Sequence, residues 1–481
     1  MSDGLNDLPL WSDPVEEGPL PWLVPDLPPV RATAPAATPA RTPGAATTSR
    51  LDWELVRVLR SRAATELSVM DLAADQQTAA VAIVADLVQA HTASEMAAGR
   101  PAPSPVQATA LARAVLDALF GLGRLQPHVD NSQVENIEVY GHDHVLLEMA
   151  DGTLVDADPV ADTDAELIET IAFAAARADG SPRPFSEAHP TLHLRLAGGA
   201  RLAASYWTTP RPVVVIRLHR LVDVTLTDLV DRDMLDPVMA CFLAASVRAG
   251  RSIVVSGPQG GGKTTLVRAL CAELDPDERI GTIETERELH LHETGRHRRI
   301  VAWESRPGSG ERGPDGRMAG EITLAELVEG SLRFNLSRLI VGEVRGREII
   351  SMFQAMQSGA GSMSTTHAPD GRAAIERLVT CAMEANAPAE FAYRQVADHI
   401  NLIVQIAMRT GTGPGGQRTR QRFVSEVLAV EPGESGRPAT TSIWRADPVS
   451  GRAVPGVLPG HLADELARFG FDPATFDGGL R

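Results

Sequence analysis

The octapeptide Gly257-Pro258-Gln259-Gly260-Gly261-Gly262-Lys263-Thr264 constrains this chain more than any other feature, because its phosphate-loop spacing has a purpose only between a strand and a helix. Both flanks comply. Ser252-Ile253-Val254-Val255-Ser256 is a short apolar, β-branched run that reads as a buried parallel strand, and Thr264-Thr265-Leu266-Val267-Arg268-Ala269-Leu270 begins a helix. In that setting the glycines let backbone N–H groups converge on phosphate oxygens and the helix N-terminus adds partial positive charge. The Thr264 hydroxyl is then within reach of Mg2+.

Lys263 is the only lysine in the sequence, which otherwise carries its positive charge on arginine. A position that keeps an ammonium in such a chain needs a compact point charge to reach between β- and γ-phosphate oxygens, where the broad guanidinium fork does not fit. Gly257, Pro258, Gln259, Gly260, Gly261, Gly262, Lys263, Thr264 and Thr265 are therefore the expected nucleotide-binding residues, for a nucleoside triphosphate with Mg2+.

A chain of 481 residues usually holds two or three domains, and a 43% hydrophobic content suffices for their cores. No stretch is long and apolar enough to cross a bilayer, the best candidate being Met239 to Val247, which reads as a core helix segment. Met1-Ser2-Asp3-Gly4 lacks the basic region and apolar core of a signal peptide, so a cytoplasmic location is expected. Cys241, Cys271 and Cys381 lie far apart in mostly apolar helical contexts and are expected to be buried free thiols. The formal net charge of −17 opposes a nucleic-acid or anionic-lipid surface over the whole protein while permitting a local basic patch.

Composition divides the chain. Residues 1–50 are rich in Pro, Ala and Thr and are expected to be disordered, interrupted by Leu8-Pro9-Leu10-Trp11 and the apolar cluster from Pro19 to Pro25. Those clusters read either as docking motifs or as residual hydrophobicity. Residues 51–120 have helical periodicity broken at Pro101-Ala102-Pro103-Ser104-Pro105, which predicts a helical bundle. Residues 121–225 alternate short strands (134–140, 144–149, 192–196 and 213–218) with a helix near 166–178, an α+β pattern. From Leu226 a long helix to Ala249 is expected. Alternating strands and helices then run to about residue 410, implying a parallel sheet with crossover helices, and 402–408 with 422–430 reads as a hairpin that closes this domain at about residue 431. Ser305 to Ala319 looks too polar to pack. Residues 432–481 are expected to be a tail whose amphipathic helix, 461–469, caps this domain or touches a partner.

Three elements follow the phosphate loop at expected strand ends, where an open α/β sheet places its ligand. The first, Arg279 to Glu284, leads into Glu286, Glu288 and Leu289. The second, Ser337-Arg338-Leu339-Ile340-Val341-Gly342-Glu343-Val344-Arg345-Gly346, is an apolar strand ending in an acid able to hold the Mg2+ shell, usually through water. The third, Gly361 to Ala368, is a strand of small hydroxyl residues ending in His367, suited to sensing a γ-phosphate.

In this order the elements resemble the acidic box, Walker B and histidine box of the type II and type IV secretion and pilus-assembly ATPases, most closely the tight-adherence (Flp pilus) branch. The resemblance extends over roughly Leu119 to Val430, with Gly320-Glu321-Ile322-Thr323 and Leu332-Arg333 also at family positions. Val134 to Val139 resembles the strand entering the family's first domain, and Gly199-Ala200-Arg201 and Ile216-Arg217 resemble segments that bring arginines over the nucleotide. Three departures stand out: Thr285 where an Asp is usual, Asn335-Leu336-Ser337 in place of Arg-Pro-Asp, and Ser358-Gly359-Ala360 where the histidine box has its first His.

The resemblance implies an α/β fold: a RecA-like P-loop NTPase domain preceded by an α+β domain and a small helical bundle, working as a hexamer on an inner-membrane platform protein. It implies that the nucleotide is ATP and the protein an Mg-dependent ATPase, with Glu343 and Thr264 at the metal, Arg201 and Arg217 at the γ-phosphoryl group, and His367 in the histidine box. Glu288 is the preferred carboxylate for the attacking water because it matches the last acid of the box, with Glu284, which ends the strand directly, as its rival. Arg183 reads either as a third such arginine or as a surface ion pair. The alternatives are a RecA-like nucleic-acid motor and a non-catalytic ATP-binding subunit. Against the first stand the acidic balance and the want of a basic, aromatic stripe for stacking bases, so no nucleic-acid partner is expected.

Overall fold

The computed structural model describes residues 51–69, 76–177, 184–218, 223–306, 308–314, 316–358, 361–412 and 418–478. The amino-terminal segment with its two apolar clusters lies outside them, as do Arg183, Gly359, Ala360 and residues 413–417. Leu51 to Arg481 forms one compact unit.

Helices α1 (Trp53–Val69), α2 (Gln76–Ala97) and α3 (Pro105–Phe120) pack around Val56, Leu59, Val84, Val88, Leu111 and Val115. Ser104 starts α3 with a capping box: its hydroxyl accepts from the Gln107 amide while the Gln107 side chain accepts from the Ser104 amide. After α4 (Gln126–Asp130) come β1 (Val134–Tyr140), β2 (Val145–Met149), β3 (Leu154–Ala157), α5 (Asp164–Arg177), β4 (Thr191–Arg195), β5 (Arg201–Ser205) and β6 (Val213–Arg217). The strands form an antiparallel sheet in the order β3-β2-β1-β6-β5-β4, with Ile137, Val139, Leu167, Ile171 and Ile216 in its core. The sequence pattern missed β3, which is short and mostly exposed, and β5, whose Arg-Leu-Ala-Ala-Ser is weak in strand formers.

The single helix expected from Leu226 to Ala249 is two, α6 (Leu226–Asp231) and α7 (Pro237–Arg248). Asp233 turns the chain with φ 59°, Asp236 caps α7, and Pro237 at its first turn has no N–H with which to continue an earlier helix.

The remaining elements in chain order are β7 (Ile253–Ser256), α8 (Lys263–Cys271), β8 (Ile280–Glu284), β9 (Ile300–Glu304), β10 (Ser309–Arg312), β11 (Met318–Ala319), α9 (Leu324–Ser331) and β12 (Arg338–Val341). They continue with α10 (Ile349–Ser358), β13 (Met363–Thr366), α11 (Gly371–Glu384), α12 (Ala389–His399), β14 (Leu402–Thr412), β15 (Arg418–Pro432), β16 (Pro438–Ala446), β17 (Ala453–Pro455), α13 (Gly460–Ala467) and α14 (Pro473–Gly478). Strands β9-β8-β12 are parallel, β13-β7-β14 are parallel, and a bridge between Glu343 and Thr365 joins the two sets. Strand β7 is buried on both faces: Ile253 and Val255 enter one core with α7 and α8, while Val254 enters the other with α10, α11 and α12.

Three further expectations need correction. The sheet is parallel as far as β14 and turns antiparallel at the β14–β15 hairpin, as expected, but β16 and β17 add two further antiparallel strands to it. The segment after Pro432 is therefore not a tail: it extends the sheet, and Trp444, Leu462, Leu466 and Phe471 complete the core around Phe242. The polar stretch 305–319 contains the β10–β11 pair, and Arg306 bridges to Ile322. Cys271 and Cys381 are buried free thiols, whereas Cys241 is exposed on α7. Among the described residues no single helix is long and apolar enough to cross a membrane.

Candidate nucleotide-binding site

The phosphate loop joins β7 to α8 as its flanks require. Gly257 has φ 152°, and a Cβ there would lie 2.7 Å from the Ile406 carbonyl of β14, so the loop leaves the sheet through a gap only glycine fits. Gly262, left-handed at φ 91°, begins α8. Lys263 follows at the first helical position, 7% exposed, with its ammonium donating to the carbonyls of Pro258 at 2.9 Å and Gly257 at 3.2 Å. Burial lowers its pKa to about 8, against the raising effect of the Glu343 charge.

His367, just beyond β13, links this lysine to the Walker B acid. Its Nδ1 lies 3.1 Å from Lys263 Nζ and its Nε2 2.6 Å from Glu343 Oε1. With an ammonium donor on one side and a carboxylate on the other, Nδ1 accepts and Nε2–H donates, which fixes the tautomer. Glu343 Oε2 also meets Arg345 Nη2 at 2.6 Å. Burial pushes the Glu343 carboxyl up, but the bonds to His367 and Arg345 outweigh it and hold its pKa down at about 2.

Glu284 and Glu288, the two rival carboxylates of the acidic box, occupy different environments. Glu284 is 3% exposed, and its Oε1 accepts the backbone amides of Glu288 at 2.9 Å and Leu289 at 3.0 Å, so it braces the segment that carries Glu288. Burial raises its pKa to about 7 against the pull of those amides. Glu288 sits inside the cleft, where its Oε2 accepts the Thr264 hydroxyl at 2.9 Å and its Oε1 meets Arg201 Nη1 at 2.5 Å. Arg201 also holds Glu286 through its carboxylate at 2.9 Å and its carbonyl at 3.0 Å.

Arg201 on β5 and Arg217 on β6 are direct cross-strand partners, which sets both on one face of the amino-terminal sheet. Arg217 lines a cavity of about 70 Å3 with Gln259, Gly260, Gly261, Gly262, Lys263, Thr264, Thr265, Glu288, Glu343 and His367. An adjoining cavity of about 620 Å3 opens between Arg201, Ala203 and Val215 of the amino-terminal sheet and Thr285, Glu286 and Glu288 of the acidic box. A separate cavity of about 510 Å3 beside α3 and α5 contains none of the expected site residues.

Mg2+ fits this chemistry. Thr264 and Glu343 bring a hydroxyl and a carboxylate to one cavity, a small oxygen ligand set of the kind used by an ion that keeps several waters.

Two arginines of the site were missed. Arg345 lies two residues past Glu343, and an i, i+2 spacing in extended chain puts both side chains on one side. Arg268, 3% exposed, lies four residues after Thr264 on the same face of α8 and donates its Nε–H to the Glu288 carbonyl at 2.9 Å. Both spacings were visible in the sequence.

The model of the family described as Type II/IV secretion system protein matches residues 189–432, a span holding every group placed in the cleft. The chain belongs to that family. The enzyme class expected from the sequence, an ATPase, is that of the family's motors. A Mycobacterium tuberculosis protein named for conjugal transfer is 27% identical over 341 residues, 70% of this secretion ATPase and 91% of the relative. The type IV secretion system protein PtlH of Bordetella pertussis is 35% identical over 177 residues, 36% of this chain and 50% of that one. The solved VirB11 ATPase of Brucella suis, in complex with sulphate, is 24% identical with a TM-score of 0.31, covering 66% of this chain and 97% of its own.

Proposed function

We propose that this secretion ATPase hydrolyses Mg-ATP and uses the cycle to drive assembly of a type IV-like pilus of the tight-adherence (Flp) kind, or type II/IV secretion, through an inner-membrane platform protein. The observation that carries this reading is the convergence of Lys263, Thr264, Glu288, Glu343 and His367 with Arg217 around one cavity, roofed by Arg201. The loop amides and Lys263 hold phosphate oxygens, and Glu288 takes the proton of the attacking water. Glu288 is favoured over Glu284 because it reaches Thr264 while Glu284 is spent on backbone amides. Arg201 and Arg217 offset the charge that develops on the γ-phosphoryl group. His367 joins Lys263 to Glu343, so loss of a γ-phosphate beside the lysine is felt at the Walker B acid. Mg2+, held by Thr264 and Glu343 partly through water, neutralises phosphate charge when bound.

The working unit is a hexamer attached peripherally to the cytoplasmic face of the inner membrane. The family match favours secretion over a nucleic-acid motor. Purified protein should hydrolyse ATP with Mg2+, and Lys263→Ala should lower the rate by about 10²-fold or more. Hydrolysis that survives this substitution unchanged sinks the reading. Crosslinking in membranes should capture a polytopic membrane protein, whereas salt-sensitive stimulation by single-stranded DNA would restore the nucleic-acid motor.

A further inference from the structure

Arg418, Arg420 and Arg422 alternate along β15, and the period of two sets them on one side of the strand, toward the amino-terminal sheet. Arg422 spans two bodies at once. Its Nε–H donates to the Gly260 carbonyl of the phosphate loop at 2.7 Å, and its Nη2 lies 2.6 and 2.8 Å from the two carboxylate oxygens of Glu135 on β1. Arg420 supports the contact, reaching Glu135 at 3.5 Å and pairing with Glu148 of β2, while the Arg418 carbonyl accepts from the Thr153 hydroxyl at 3.3 Å.

The acid end of this clamp is wired to the roof of the cleft. The Glu135 carbonyl accepts the Leu218 amide at 2.8 Å, Asn136 pairs in register with Arg217, and Arg217 pairs in register with Arg201. Sheet hydrogen bonds therefore run from Glu135 to both arginines without a flexible joint between them. The loop end is equally fixed, since β15 pairs with β14, and β14 with the strand β7 from which the phosphate loop springs.

Resting on the reading of this cleft as an ATP hydrolysis site, we propose that Arg422 is a positioning residue: by gripping the Gly260 carbonyl and the Glu135 carboxylate together, it sets the spacing between the phosphate loop and the strands bearing Arg201 and Arg217. A guanidinium presents its Nε and Nη donors at a fixed separation in one plane and serves both partners simultaneously. A lysine ammonium is a single point at the end of a flexible stem and serves one or the other. The contribution is to turnover rather than to capture of the nucleoside diphosphate, because the loop's own glycines and Lys263 remain in place.

The test uses the full chain, with Arg422→Ala, Arg422→Lys, Glu135→Gln and the Arg422→Ala/Glu135→Gln pair, measuring kcat and KM for Mg-ATP and Kd for Mg-ADP. Wild-type hydrolysis that Lys263→Ala abolishes establishes the ATPase reading on its own. On that footing, Arg422→Ala and Glu135→Gln should each lower kcat about tenfold, the pair no further than the worse single, and Mg-ADP affinity should stay within about twofold. Arg422→Lys should not restore kcat. The near-isosteric Glu135→Gln keeps the test decisive where Arg422→Ala folds poorly. Wild-type kcat in Glu135→Gln, full rescue by Arg422→Lys, additive losses in the pair, or an equal loss of Mg-ADP affinity each overturn the proposal while leaving the ATPase reading intact. Wild-type protein without Lys263-dependent hydrolysis overturns both.

Discussion

The phosphate loop holds its lysine with its own backbone, whereas the arginine above it is held by acids from a distant stretch of chain. Lys263 rests on the carbonyls of Gly257 and Pro258, a few residues away, and on His367. Arg201, in contrast, reaches across from the amino-terminal sheet to Glu286 and Glu288, more than eighty positions along the chain. The floor is a local structure that persists wherever strand and helix persist. The roof exists only while two sheets keep their relative placement, so a change in that placement alters the roof first. On the proposed reading of the cleft, nucleotide capture depends on the floor, and the rate of the chemical step depends on how the roof meets it.

That division predicts the largest effect where floor and roof touch. Glu288 contacts both, through Thr264 and Arg201, so Glu288→Gln should cut kcat by about 10² to 10³-fold with ATP still bound, measured by steady-state hydrolysis and by nucleotide retention. Glu284→Gln should cost less than about tenfold, because the amide oxygen still accepts from the Glu288 and Leu289 amides. A Glu284→Gln enzyme more damaged than Glu288→Gln would reverse the assignment of roles. The roof arginines come next: Arg201→Ala and Arg217→Ala should each lower kcat about 10 to 10²-fold and leave Mg-ADP affinity nearly unchanged. Equal loss of Mg-ADP affinity in either variant would erase the distinction between capture and catalysis.

The same division accounts for what the sequence disclosed. The loop, the Walker B strand and the β14–β15 hairpin were legible because glycine spacing, apolar runs and strand period are local signals. Strand β5, carrying Arg201, was not, because its small residues gain strand structure only by pairing with β4 and β6. The break between α6 and α7 was legible in Pro237 and Asp236, yet the apolar run on either side masked it. Arg422 and Glu135 are separated by nearly three hundred positions, and no period or motif joins them; only the packing of two sheets does. Glu284 and Glu288 look alike in sequence and differ in burial, which is a property of the fold.

Burial also gives the smallest testable effect, in the acid that braces floor to roof. The Glu284 carboxyl is raised from 4.5 to about 7, so between those values the folded protein binds a proton that the unfolded chain has released. Stability therefore falls as pH rises through that window and levels off above about 7. Lys263 has the opposite sign: its pKa is lowered from 10.5 to about 8, so stability rises between those values as the folded state sheds its proton first. Glu284→Gln keeps the acceptor and removes the charge. It should match the wild type in melting temperature near pH 5 and exceed it by a few degrees, on the order of 2 to 4 °C, near pH 8. A difference that stays constant across that range would mean that the two backbone amides already offset the burial of the charge, and that the brace is as stable ionised as neutral.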